Sequence, residues 1–248
     1  MNSTTSQKMR SVSSYTSAKG IAAIVGVGPK LGRSVLINKL VYMFVDKLSE
    51  LADEIACEAK AQVFAIRIDC SDCKSVREAF EGVLSLGPVE VLVYNACEPA
   101  SYQPSNFMSI KPGSFQQSLA ASALGSFYCA QQVIPGMVER GRGTIIFTGS
   151  SASLNGFAGY SELSCSKFAM RGLSQCLAKE FFAFGIHVAH VVIDGAISTP
   201  RSSKEEDSTN STCCMDPDAI AQSYWHIHTQ DKRAWTQELD LRSPYQRF

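Results

Sequence analysis

Ile21-Ala22-Ala23-Ile24-Val25 runs without a break into Gly26-Val27-Gly28-Pro29-Lys30-Leu31-Gly32-Arg33. Five apolar residues of strand length end on glycines, and a helical pattern opens at Leu31. A strand that stops at glycines and turns straight into a helix is the geometry that receives a dinucleotide. Glycines permit the tight turn and let the backbone come close to a pyrophosphate, whose charge then sits at the helix amino terminus. Gly26, Gly28, Lys30, Leu31 and Gly32 are the candidate residues of that turn. A glycine cluster alone also fits an ordinary turn, so its weight depends on the surrounding pattern.

That pattern is an alternation of short apolar runs with longer segments of helical period, the signature of βαβ units and a parallel sheet. Strands are expected at Ile21–Gly26, Val41–Val45, Gln62–Ile68, Val89–Tyr94, Thr144–Thr148, His187–Ile193 and Trp235–Leu241. Helices fit at Leu31–Leu40, Leu48–Glu58, Ser75–Leu86, Ser114–Arg140, Ser161–Phe184 and Pro217–His228. Val-Leu-Val-Tyr and His-Val-Ala-His-Val-Val-Ile lack strict alternation, as strands buried on both faces do. The expected fold is α/β: a Rossmann-type, doubly wound, mostly parallel sheet in one domain over residues 20–248, preceded by a tail at 1–19.

One unit is compressed. Only eight residues separate Gly32 from Val41, whereas a crossover helix with its return turn takes about 10–12 or more. Either the helix is stunted, or Val41–Val45 continues it and the second strand is missing. Ser198–Asp216 is polar and reads as a mobile surface loop.

Composition excludes several classes of function. Lys plus Arg number 23, as do Asp plus Glu, so no overall field draws nucleic acid or an anionic membrane to the chain. No window approaches 18 uninterrupted apolar residues, against a membrane span. Nine scattered cysteines suit free thiols in a reducing, cytoplasmic compartment. Residues 1–19 are rich in Ser and Thr and contain no acid. They read as an untargeted, disordered tail, with an organelle-targeting segment as the alternative.

The segment Gly149-Ser150-Ser151-Ala152-Ser153, followed by Gly156 and Tyr160-Ser161-Glu162-Leu163-Ser164-Cys165-Ser166-Lys167, resembles the active-site stretch of the short-chain dehydrogenase/reductase family. That family has a serine, a tyrosine thirteen residues on, and a lysine four residues further. Laid on this chain, the pattern puts the serine at Ser150, the lysine at Lys167, and the tyrosine at Leu163. The resemblance implies that the tyrosine passes a proton to or from the substrate oxygen during hydride transfer. The lysine lowers the tyrosine's pKa and binds the nicotinamide ribose, the serine hydrogen-bonds the carbonyl or alcohol, and an asparagine in the preceding helix holds a relay water. The asparagine position is Ser122. Leu163 cannot carry a proton, so Ser150 and Lys167 are left as catalytic candidates. Tyr160 is a third, although seven residues from Lys167 means about 10 Å of helical rise.

The resemblance extends along the chain. The family turn Thr-Gly-x-x-x-Gly-x-Gly retains Gly26 and Gly32, with Val25 for the threonine and Lys30 for the middle glycine. Asp46 takes the position of the acid that selects NAD by its ribose hydroxyls, or is simply an acid opening a helix; NAD and NADP both stay open. Asp69, with Cys70 beside it, resembles the aspartate that binds the adenine amino group. Asn95-Ala96-Cys97 resembles the Asn-Ala-Gly turn beside the adenosine ribose, with Cys97 in place of glycine. Asp194-Gly195-Ala196-Ile197-Ser198-Thr199 resembles the Pro-Gly-x-Val-x-Thr turn, in which Ile197 and Thr199 would hold the nicotinamide amide. The family also implies a homodimer or homotetramer through the helices that carry Leu119, Phe127, Phe168 and Leu173, residues that fit ordinary burial as well.

No metal site is expected. Cys70-Ser71-Asp72-Cys73 stands alone without a second ligand pair, and His187 and His190, three apart on a strand, point to opposite faces. His226 and His228 fit a structural role at a helix end, and adjacent Cys213 and Cys214 seldom pair with each other. Three functions remain: an NAD(P)-dependent oxidoreductase acting on a small carbonyl/alcohol pair with an altered acid–base group, a dinucleotide-binding sensor or assembly subunit without turnover, or a shortened variant that binds cofactor poorly.

Overall fold

In the computed structural model, residues 20–27, 31, 43–44, 64, 66–198 and 214–243 are described. Within them, six parallel strands form one sheet: β1 (Ile21–Val25), β2 (Met43–Phe44), β3 (Val89–Tyr94), β4 (Gly143–Ser150), β5 (Ile186–Asp194) and β6 (Glu238–Arg242). Their spatial order is β2-β1-β3-β4-β5-β6. The helices are α1 (Cys73–Leu86), α2 (Pro112–Leu119), α3 (Gly125–Arg140), α4 (Ser161–Phe181) and α5 (Pro217–Thr229).

The apolar runs form strands because both faces of the sheet are covered. On β1, Ile21, Ala23 and Val25 face one core, with Phe80 of α1, Cys129 and Met137 of α3 and Met170 of α4. Ala22 and Ile24 face the other, with Ile220 and Tyr224 of α5 and with Leu31. Alternate residues serve opposite cores, so neither face has polar positions to spare. This is the doubly wound architecture. The chain leaves β1 for β2 on one side and returns for β3 on the other, so a topological switch point lies between β1 and β3, where open α/β sheets place ligands.

Of the strand expected at Val41–Val45, Met43 and Phe44 are described, and they pair in parallel with Ile24 and Val25. One part of the sequence reading needs correction. Gln62–Ile68 is not a strand at its described positions: Phe64 and Ile66–Ile68 carry no strand pairing. Ile66 and Ile68 instead pack their side chains on the core beneath α1 and α3. The expected helix Leu48–Glu58 and the tail 1–19 lie outside the described residues.

The expected helix at 114–140 is interrupted. A π-helical turn at Ala120–Leu124 joins α2 to α3. Such a turn takes carbonyls out of the regular ladder, and the buried Tyr94 hydroxyl at the end of β3 donates to Ala121 O. Sequence periodicity carries no sign of this break, which needs a partner from another element.

Candidate active site

Parallel strands end together, so the carboxyl ends of β1, β3, β4 and β5 open onto one cleft of about 680 Å³. Its floor at β1 is Gly26, with φ of +83°. A Cβ there would lie 2.4 Å from Ala96 N, so only glycine allows β1 and β3 to approach this closely. Asn95 fastens the junction from the β3 side: its backbone N–H donates to Val25 O at 2.8 Å, and its Nδ2 donates to Gly26 O at 2.8 Å. Gly26, Leu31, Asn95 and Ala96 all line the cleft, as expected. Gly28, Lys30, Gly32, Asp46 and Thr199 lie outside the described residues.

A recess of about 470 Å³ adjoins the cleft through Ala96 and Cys97 and is lined by Asp69 and Cys70. The Ser71 hydroxyl and backbone N–H both donate to Asp69 Oδ1, at 2.6 and 2.9 Å. These bonds hold the Asp69 carboxyl below its ordinary pKa. Cys70 differs in character: burial pushes its thiol up to about 11, the opposite of what a reactive thiolate requires. Its neighbour in the CxxC, Cys73, is the exposed first residue of α1, whose N-cap is Asp72. No group of three or more metal-binding side chains occurs among the described residues.

At the far side, Ile197 lines the cleft and is fixed by a parallel bridge to Met215, whose N–H donates to Ala196 O at 2.7 Å. Asp194, where the family has proline, accepts from Arg242 Nη1 at 2.7 Å and so ties the end of β5 to β6.

Ser150 and Lys167 both line the cleft. Ser150 ends β4, and its backbone N–H donates to Ser153 Oγ at 3.1 Å. Its own Oγ is buried without a hydrogen-bond partner among the described residues. Lys167, in the second turn of α4, is 1% exposed. Its Nζ donates to Thr148 O at 2.8 Å, one of three donors an ammonium carries. Burial lowers the pKa of Lys167, and the nearby Cys97 opposes that shift.

Leu163 is 6% exposed and is not among the cleft-lining residues. Tyr160 is the N-cap residue of α4, and it too is not among the cleft-lining residues. Ser122 is buried in the π turn, its Oγ without a partner among the described residues. Tyr102, on a short 3₁₀ helix (Pro99–Tyr102), does line the cleft. It was not singled out in the sequence, since it belongs to no motif; only its position five residues after Cys97 hinted at it.

Behind Ser150 lies a polar array that sequence reasoning also missed. Arg171 of α4 grips Glu238 of β6 with two bonds, Nε to Oε2 at 2.7 Å and Nη2 to Oε1 at 2.9 Å. The buried His190 of β5 meets the same Oε2 through Nδ1 at 3.1 Å. His190 Nε2 would stand 2.2 Å from a Cβ at Gly149, so the glycine makes room for the ring beneath β4. His187 turns elsewhere and stacks on Trp235 at 4.8 Å. The two histidines do not converge.

The comparisons with known proteins agree with this geometry. The profile of the short chain dehydrogenase family matches residues 21–210. The chain belongs to that family. A 3-ketodihydrosphingosine reductase from Bos taurus is 32% identical over 171 residues, 66% of this chain and 49% of the relative. A short-chain dehydrogenase/reductase, eriH, from Hericium erinaceus is 27% identical, over 88% of this chain and 93% of the relative. An alcohol dehydrogenase from the archaeon Thermococcus sibiricus, solved with 5-hydroxy-NADP, superposes with a TM-score of 0.76 at 22% identity, covering 92% of this chain and 98% of the other. The chain spans 49%, 44%, 41% and 59% of four ketosphinganine-type reductases that it matches.

The residues present fit the dinucleotide cofactor of a short-chain dehydrogenase. The Gly26 turn leaves backbone open at the switch point. Lys167 has N–H groups beyond the one given to Thr148 O, and Ser150 lines the same cleft. No described helix is long and apolar enough to cross a membrane.

Proposed function

We propose that this chain is an NAD(P)-dependent oxidoreductase acting on a small carbonyl/alcohol pair, with an acid–base group other than the family tyrosine. One observation carries the reading: Ser150 Oγ and Lys167 Nζ share a cleft with the Gly26 turn. A bound nicotinamide dinucleotide supplies or accepts the hydride. Lys167 holds the ribose hydroxyls with its remaining donors, and Asn95 and Gly26 form the floor beneath the adenosine half. Asp69 stands in the adjoining recess for the adenine amino group, with Cys70 beside it. Ile197 and Thr199 hold the nicotinamide amide, and Ser150 Oγ donates to the substrate carbonyl. Gly28, Lys30, Leu31 and Gly32 complete the pyrophosphate turn, and Asp46 the ribose site.

The names of the relatives favour reduction of a keto group, and the NADP-type ligand of the archaeal neighbour favours a phosphorylated cofactor. NAD and NADP are both compatible with the described residues. A homodimer or homotetramer is part of the proposal: Phe127 of α3 and Phe168 of α4 are exposed, which suits a helical face between subunits. A cytoplasmic site suits the described cysteines, which form no disulfide with one another.

Titration of the purified protein with NADH and NADPH by fluorescence, followed by a panel of aldehydes, ketones and alcohols, tests the reading. Saturable binding with cofactor-dependent turnover is expected. The second reading, a dinucleotide-binding protein without turnover, rests on the buried Leu163. Saturable binding without turnover across the panel would establish it in place of the first.

A further inference from the structure

Beneath the end of β4 lies a buried ring that the proposed chemistry leaves unused. We infer that His190 is a positioning residue of this site: held by Glu238 and Arg171, it fixes the Ser153 hydroxyl that holds the backbone of Ser150. This assignment rests on the oxidoreductase reading and deepens it.

The contacts begin at the sheet edge. Arg171 of α4 grips the Glu238 carboxylate through Nε to Oε2 at 2.7 Å and Nη2 to Oε1 at 2.9 Å. His190 Nδ1 lies 3.1 Å from the same Oε2. Burial keeps the ring neutral at neutral pH. A carboxylate only accepts, so the neutral ring carries its proton on Nδ1 and presents a bare lone pair at Nε2.

That lone pair points to a hydroxyl. Nε2 is buried and has no hydrogen-bond partner among the described residues. His190 Nε2 and Ser153 Oγ stand 2.2 and 2.9 Å from one point, the place that a Cβ on Gly149 would take. Ser153 is fully buried, and its Oγ accepts from the Ser150 N–H at 3.1 Å. The hydroxyl therefore still has its own hydrogen to give, and Nε2 is a buried acceptor in need of one. Pairing the two across the slot at Gly149, directly or through one water, satisfies both, where an unpaired buried acceptor is costly. With its hydrogen turned to the ring, Ser153 Oγ keeps a lone pair on the Ser150 N–H.

The ring underlies a short stretch on which both catalytic candidates depend. Gly149 stands between Thr148, whose carbonyl accepts from Lys167 Nζ at 2.8 Å, and Ser150. Lys167 and Ser150 both line the cleft, whereas His190, 1% exposed, does not. His190 thus touches neither substrate nor cofactor. It acts through Ser153 on Ser150, in the way that supporting hydrogen bonds hold a reactive group in its productive geometry.

The test uses the full chain, its Ser153→Ala and His190→Asn variants, their double variant, and His190→Gln. The shorter Asn keeps an N–H for Glu238 and removes the acceptor at Nε2; Gln reaches farther and restores an acceptor there. Three readouts are taken: cofactor-dependent carbonyl reduction with NADH and NADPH titrations, urea unfolding, and long-range ¹H–¹⁵N NMR of the imidazole nitrogens at neutral pH. The chain has four histidines, and single variants assign His190 among them. Ser153→Ala and His190→Asn are each expected to lower kcat about tenfold, with cofactor affinity within about twofold of the unaltered protein. Because both cut the same link, the double variant should lose no more than the larger single loss, whereas independent structural effects multiply. His190→Gln should retain more turnover than His190→Asn. In the NMR spectrum Nδ1 should be protonated and Nε2 bare.

Losses in kcat that multiply in the double variant overturn the positioning role and leave the oxidoreductase reading standing. A ring protonated at Nε2 instead of Nδ1 overturns it whatever the activity, as do unfolding free energies that simply add in the double variant. No turnover by the unaltered protein removes the oxidoreductase reading, and the positioning role with it.

Discussion

Acidification should destabilise this protein through a single buried ring, His190. The residue is 1% exposed in the middle of β5. Burial lowers its pKa from 6.5 to about 4, against the opposing pull of Glu238 and with small like-signed contributions from Lys167 and Arg171. The folded state thus holds the ring neutral, while the unfolded chain protonates it below its ordinary pKa. With a depressed folded pKa, the stabilisation is complete above about pH 6.5 and is lost as pH falls toward 4. Each unit of separation is worth about 1.4 kcal/mol, so the full loss is about 3 kcal/mol, of which about 2 kcal/mol is gone by about pH 5. That is a large share of the 5–15 kcal/mol typical of a domain, roughly speaking. Urea unfolding at a series of pH values should show this slope, and His190→Gln should flatten it between about pH 7 and 5, whatever the variant's own stability. The carboxylates with lowered pKa, Asp69 and Glu238, act in the same direction at more acid pH and so leave this window to the histidines. His187 and His228, also lowered by burial, set the residual slope in the variant. An unchanged slope in His190→Gln, or an NMR titration of His190 near 6.5, would refute the reasoning.

Three further outcomes are expected. Lys167→Met removes the donor proposed to hold the ribose while keeping most of the side-chain volume; NADH and NADPH affinity should fall about 10- to 100-fold by fluorescence titration, the equivalent of hydrogen bonds to a charged group. Gly26→Ala forces a Cβ to within 2.4 Å of Ala96 N at a φ of +83°; thermal unfolding should report a loss of about 2 kcal/mol or more, and cofactor binding should weaken with it. Leu163→Tyr places a phenol one helical turn from Lys167, where burial of the larger ring costs about 1–3 kcal/mol. Carbonyl reduction should rise about 10²-fold over the unaltered protein, and a folded, cofactor-binding variant that gains no activity would count against a missing donor at position 163.

The sequence by itself determined the layer architecture and the glycine turn that closes β1. Apolar runs such as Val89–Tyr94 became strands because their composition leaves no polar face, which only a sheet covered on both sides tolerates. Gly26 was legible because a chain turning tightly against another backbone admits one residue type. Ser150 and Lys167 were legible because their spacing is set within one strand-to-helix connection. Tertiary structure decided the rest, since it concerned residues whose partners are remote in the chain. Ile66 and Ile68, expected in a strand, pack instead on the core cluster with Phe80 and Cys129, partners that lie far along the chain. The π turn at Ala120–Leu124 depends on a tyrosine from β3. His190 reads as one more residue of a buried strand until Glu238 and Arg171, 48 and 19 positions away in sequence, close around it. Tyr102 belongs to no periodicity or motif. Its place on the cleft that Lys167 also lines arises only when the turn after β3 packs against α4, because local pattern fixes which way a segment faces but not what it meets.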